Sequence, residues 1–338
     1  IEDDGDVVLP MVVAPPEAAH TLVVDLPPAR KDAALCTGVD GETFWLGGTE
    51  GETPVATGFV VEPLTRAVRP APALPSPRTG GSCFLDGTRL FVVGGCDAEA
   101  QPSPMLWRLR EEGEEGPWTL DDDAPLSGCY GAETRLADGR FVVVNEVTVS
   151  LYDPLTGERT TTPLRRARRS PVLVTFTREA QLWVLMGGGY EPGGEPASLP
   201  GAELFRIDDR TLVYVGVFEM ELTAAVTGRD AAFVLDGGAL RPIAPDRVGG
   251  SIFSPQSVVT GASSLVWTTN EQLAALSHDG QALHIWGASG LRTIEVVPPR
   301  PLGRLVTLPG GTLLVFGGGH AGIAVFVVDD QGSVVERP

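Results

Sequence analysis

The chain has 338 residues, of which 43% are hydrophobic, and a formal net charge of −19. That charge excludes nucleic acid as a partner, because phosphate binding needs a cationic face. No run approaches the roughly 18 to 20 uninterrupted apolar residues that would span a bilayer, so no transmembrane segment is expected. The 42 Gly and 29 Pro are scattered between short apolar runs, where they read as turn punctuation.

In chain order, residues 1–20 form a polar, Pro/Ala-rich lead with no signal peptide in it, and residues 21–338 form one domain. Within the domain a unit recurs. "CTGVDGETFWLGG" (36–48) has a turn at Asp40-Gly41, an apolar run and the pair Gly47-Gly48. "SCFLDGTRLFVVGG" (82–95) repeats it with Asp86-Gly87 and Gly94-Gly95. "VTFTREAQLWVLMGGG" (174–189) and "RLVTLPGGTLLVFGGG" (304–319) are further copies, and "AAVTGRDAAFVLDGG" (224–238) is looser. "ETRLADGRFVVVNE" (133–146) keeps the hairpin but puts Val144-Asn145 where the glycines stand. With Asn145 and the weak "GASSLVWTTN" (261–270) filling the two long gaps, the anchors recur about every 45 residues, the period of propeller blades. The fold expected is therefore an all-β propeller of four-stranded antiparallel blades. There are seven, or six if 237–317 is one blade with a long insertion. Where the glycine pair closes a second strand, it does so because a side chain there would obstruct a neighbouring segment and any positive-φ turn.

The second half of each unit is also legible. "VTVSLYDPLTGERTTTPLRRARRSP" (147–171) carries Tyr152-Asp153-Pro154, a Thr-Gly turn, a further strand and an Arg/Pro linker; "MLWRLREEGEEGPWTLDDDAPL" (105–126) places Trp118 on the outer strand. With the linkers "PSPRTGG" and "RRARRSP", these features make the chain resemble Kelch-repeat β-propellers over roughly residues 33–220 and again from 301 onward.

Chemistry is mostly missing. The copper-radical site of some Kelch-like propellers needs paired histidines and a Tyr–Cys crosslink. All four cysteines here precede residue 130, whereas three of the four histidines follow residue 277. There are no Asp-box turns or WD dipeptides, no GxSxG elbow and no phosphate loop. The acidic runs 2–6, 121–123 and 329–330 lack EF-hand spacing and read as solvated carboxylates. No catalytic residue, metal or cofactor is assigned.

The expected activity is thus that of a non-catalytic binding or assembly module of the bacterial cell surface or periplasm, engaging a protein partner through its loop faces. A carbohydrate-binding or carbohydrate-active propeller that uses the axial depression, and a subunit of a large envelope complex, are the alternatives. The working face is expected to carry Arg78, Asp97, Arg168, Arg169, Tyr190, Glu191 and His320, because the long loops 97–104 and 190–201 leave second strands beside the linkers. The cysteine spacings contain no CxxC pair, which disfavours a zinc ribbon and fits disulfides in an exported protein. Cys96 follows the second strand of blade two and Cys129 precedes the first strand of blade three, so these two are expected to bridge. Cys36 and Cys83, each 11 residues before its glycine pair, are expected to be buried thiols. "TLVVDL" (21–26) is expected to add a strand to the last blade and close the ring.

Overall fold

The structure is a computed structural model. It describes residues 17–18 and 28–328, apart from 39, 63–66, 110–116, 122–127, 137, 179, 194–198, 228–231, 237–238, 245–246, 249–261, 269–271, 288–289, 302, 309–310 and 318–322. Among the described residues there is no helix. The strands assemble into seven sheets, each an antiparallel set built from consecutive chain and one of them extended by the parallel strand Glu17–Ala18, with a separate two-stranded ribbon at Thr49–Glu50 and Thr53–Pro54. Blade one runs from Ala34 to Ala71, blade two from Ser82 to Asp121, blade three from Ala132 to Pro163 and blade four from Val172 to Phe218. Blade five runs from Leu222 to Val248, blade six from Ala262 to Glu295, and blade seven, with three described strands, from Arg304 to Val327. The first strands of successive blades lie against one another and line the axis.

The continuous apolar runs have a direct cause. A second strand is covered on both faces by neighbouring blades, so every side chain must be apolar, whereas a half-solvated strand would alternate. In Arg89–Val93, Leu90 and Val92 pack toward blade one, and Phe91 and Val93 pack toward blade three. Each of the seven interfaces between neighbouring blades has its own buried cluster. The seventh joins blade seven to blade one, where Phe316 meets Trp45 edge-on with ring centroids 5.5 Å apart. Seven interfaces for seven blades mean a closed ring.

Two expectations need adjustment, and a third falls outside the described residues. "GASSLVWTTN" holds the first strand of blade six, Ala262–Trp267, and the second is Leu273–Ser277, so the blade count stands but that anchor was one strand early. Residues 21–26 lie outside the described residues. Glu17–Ala18 pairs in parallel with the outermost strand of blade six, Gly290–Glu295. Cys36 and Cys83 are not thiols. They form a disulfide with Cα atoms 5.4 Å apart, as do Cys96 and Cys129 at 5.0 Å. Matching places on adjacent inner strands are neighbours across a blade interface, so equivalence in the repeat predicts contact between the two cysteines.

Antiparallel strands put alternate connections on opposite faces of the ring. The linkers into each first strand and the loops leaving each second strand share one face, called here the linker face. The first-to-second and third-to-fourth turns share the other, the turn face.

Candidate functional site at the mouth of the axial channel

The linker face is built on a repeated arginine. Arg30, Arg78, Arg168 and Arg300 each stand four residues before an inner strand, and each is at most 3% exposed. Each guanidinium donates to the carbonyl of a glycine ending its own blade's second strand: Arg30 to Gly47, Arg78 to Gly94, Arg168 to Gly188 and Arg300 to Gly317, at 3.0–3.3 Å. Second bonds run from Arg30 to Thr57 O, from Arg78 to Pro104 O and from Arg168 to Gly201 O. Burial lowers the Arg78 pKa to about 10. It also lowers Arg168, against the opposing charge of buried Glu203, which lies 3.9 Å from Arg168 Nε.

The arginine clamps two close approaches at once. Gly94 and Gly95 have φ of +61° and +89°, and a Cβ on Gly94 would lie 2.5 Å from Gly128 O of the linker into blade three. A Cβ on Gly95 would lie 3.0 Å from Thr79 O of its own linker. A bridge then follows three of the four clamps: Lys31 with Thr49, Thr79 with Cys96 and Arg169 with Tyr190. Arg78 and Arg168, expected to present charge to a partner, are thus consumed by the backbone of their own blades. Their identity was legible, and the constant offset from each inner strand was the signal of their clamping role.

The other expected residues are at the surface. Asp97 is half-buried and its Oδ1 accepts from the amides of Glu99 and Gln101 at 3.0 and 2.8 Å, so it shapes the loop. Glu191 is exposed and 3.9 Å from Arg166. His320 lies outside the described residues. Arg169 and Tyr190 are half-buried and belong to a cluster at the mouth of the channel.

That cluster is assembled by a backbone device absent from the sequence reading. Asp32, Gly80, Tyr130 and Ser170 occupy the same place, two residues before an inner strand, all with φ between +50° and +70°. The amide of Gly80 donates to Asp32 O at 2.7 Å, and the amide of Ser170 to Tyr130 O at 2.6 Å. These positions form an arc around the mouth. The Tyr130 ring lies over Gly80, where a Cβ would come within 2.6 Å of Tyr130 Cδ1. Arg169 Nε donates to Glu146 Oε1 and its guanidinium stands 5.8 Å from the Tyr130 centroid. Tyr190 shares a side-chain hydrogen bond with Ser170. Burial, then the Asp32 carboxylate, raise the Tyr130 pKa despite Arg169; burial, then Tyr130, raise that of Tyr190. Both phenols therefore stay protonated at neutral pH, able to donate.

Below the mouth, Glu133 of blade three bonds Ser82 of blade two and feels the charge of Arg304 of blade seven. Three steps is the largest separation on a seven-membered ring, so that interaction crosses the channel. Glu133 is open to the channel yet hemmed in around it, and burial raises its pKa above the usual carboxylate value. Among the described residues no group of three or more His, Cys, Asp or Glu side chains gathers to hold a metal. Nor is any helix long and apolar enough to cross a membrane.

No family model and no curated protein matches the chain. Among solved structures it is similar to a streptogramin B lyase, with 12% sequence identity and a TM-score of 0.58 over 90% of this chain and 95% of that one. At this identity the likeness shows the propeller fold alone, and the Kelch resemblance finds no support from it.

Proposed function

We propose that the chain is a non-catalytic binding or assembly module whose working surface is the linker-face mouth, and that its partner is a protein. The observation that carries this reading is the cluster of Tyr130 and Tyr190 with Asp32, Glu146 and Arg169. Partly exposed aromatics bracketed by both signs of charge are the residue mixture that dominates protein recognition. Propellers host many functions, so the site and not the fold supports the reading. Two disulfides fit an oxidising compartment, and we place the module outside the cytoplasm, in the periplasm or at the cell surface.

A carbohydrate ligand in the axial depression is the second reading. It is favoured by two protonated tyrosines and the Asp32 carboxylate around one opening, since rings stack on aromatic faces and hydroxyls need both donors and acceptors.

The test is a pulldown from the source organism with the full chain, the Tyr190→Ala/Glu191→Ala variant and a turn-face variant, Asp86→Ala. Loss of a copurifying protein with the first variant alone supports the proposal. Loss with the turn-face variant alone means that the opposite face is the working one. Retention of a glycan and no protein by the unaltered chain favours the second reading.

A further inference from the structure

Blades seven and one meet at a cleft of about 380 Å³. This is within the usual range of small-molecule sites, roughly 300 to 1,000 Å³. Its apolar walls come from Leu35, Trp45 and Phe316, and its rim from Lys31, Asp32 and Arg304. Trp45 and Phe316 are fixed by the packing that closes the ring, so this end of the cleft is rigid and preformed.

The charges are unusual for this protein. The chain carries an excess of 19 negative charges, and its described arginines are largely engaged by carboxylates, aromatic rings or carbonyls. Lys31 and Arg304 are exposed, and neither has a carboxylate within 4.0 Å among the described residues. Arg30, which also borders the cleft, is neutralised by Glu50 at 2.7 Å. Two cations with no carboxylate in contact, set against Asp32, leave the rim with a surplus of about one positive charge; Glu133, which feels Arg304 from across the channel, is outside the cleft lining. Screening is weaker in such a partly enclosed site than on open surface.

We infer that the seam cleft binds a small monoanion with an apolar body, an aromatic or branched aliphatic carboxylate. The carboxylate sits between Lys31 and Arg304, and the body lies against Leu35 and the Trp45–Phe316 wall. Asp32 repels a dianion, which disfavours phosphate. This inference does not depend on the proposed function, although Asp32 borders both sites.

The test is calorimetric titration of the full chain with naphthalene-2-carboxylate, its neutral carboxamide and inorganic phosphate. The carboxylate is expected to bind at least about tenfold more tightly than the carboxamide, and phosphate more weakly than either. Lys31→Gln/Arg304→Gln, both at exposed positions, should erase the preference while the chain keeps a cooperative thermal melt. Leu35→Trp, which fills the cleft, should abolish binding of both naphthalene probes. Equal affinity for carboxylate and carboxamide, a preference that survives the double variant, phosphate binding as tight as the carboxylate, or no binding of either naphthalene probe would each overturn the inference. Tyr190→Ala should leave these titrations unaltered even where it abolishes partner capture, which separates failure here from failure of the linker-face reading.

Discussion

The two faces of the ring are made of the same kinds of residue used in opposite ways. On the turn face, charges are spent locally. Asp86 pairs with Arg89 and Asp138 with Arg140 within their own turns, and Arg210 reaches Glu158 in the next blade. The same aspartates cap their turns, as Asp86 Oδ1 does by accepting from the amides of Thr88 and Arg89 at 3.2 and 2.7 Å. On the linker face, arginines turn inward to hold backbone, which leaves tyrosines and a few charges around the mouth. Partly exposed ion pairs contribute little to stability, typically below about 1 kcal/mol, whereas a buried guanidinium holding carbonyls is costly to remove. Stability is therefore concentrated on the face that also carries the candidate site.

The disulfides sharpen this contrast most. Cys96–Cys129 lies on the linker face, Cys36–Cys83 joins inner strands, and the described turn-face loops contain no cysteine. With 33 and 47 residues between partners, chain entropy assigns each bridge about 4 kcal/mol. Reduction should lower the urea midpoint sharply, and a thiol count on the unreduced, denatured chain should read zero. Any titratable thiol there would break the assignment.

Glycine substitutions compare the faces directly. A Cβ on Gly188, with φ of +62°, would collide with Leu222 O, so Gly188→Ala should cost about 3 kcal/mol or more through clash and strain together. Gly87 on the turn face has φ of +103° and nothing within 4 Å of an added Cβ, so Gly87→Ala should show only the conformational penalty, about 1 kcal/mol. Equal losses in urea denaturation would refute the close-approach account.

Arginines should order similarly. Arg168→Met strips buried Glu203 of its nearest cation and should cost about 3 kcal/mol. Arg140→Met should cost under about 1 kcal/mol, since its ion pair with Asp138 is partly exposed.

The smallest effects are in pH dependence, and they have opposite signs. The Glu133 pKa is raised chiefly by burial, so its favourable contribution is complete below the unfolded value and is lost as pH rises through the folded one. Burial pushes Asp138 up, but the hydrogen bonds and charge of Arg140 outweigh it, and the net shift is down. Its contribution is present above the unfolded value and is lost as pH falls through the folded one. Glu133→Gln should therefore gain stability relative to the parent as pH rises above about 4, and Asp138→Asn should lose it relative to the parent as pH rises from about 2 to about 5. Parallel trends would show that the channel carboxylate is solvated like the turn one.

By itself, the sequence determined the blades. Period, tight turns and doubly apolar second strands are local consequences of stacking sheets, so they recur along the chain, and the Cys96–Cys129 bridge followed from that frame. Only the tertiary structure decided what the linkers do. Whether Arg78 is a surface charge or a clamp depends on the Gly94 and Pro104 carbonyls, 16 and 26 residues downstream, coming to one point. The mouth was illegible for the same reason: Asp32, Tyr130 and Tyr190 come from three blades, and Tyr130 fills a positive-φ position that no residue preference announces. Cys36 and Cys83 show both sides of this division. Their equivalence was visible in the repeat, but only ring geometry turns equivalent positions on adjacent blades into bonded neighbours.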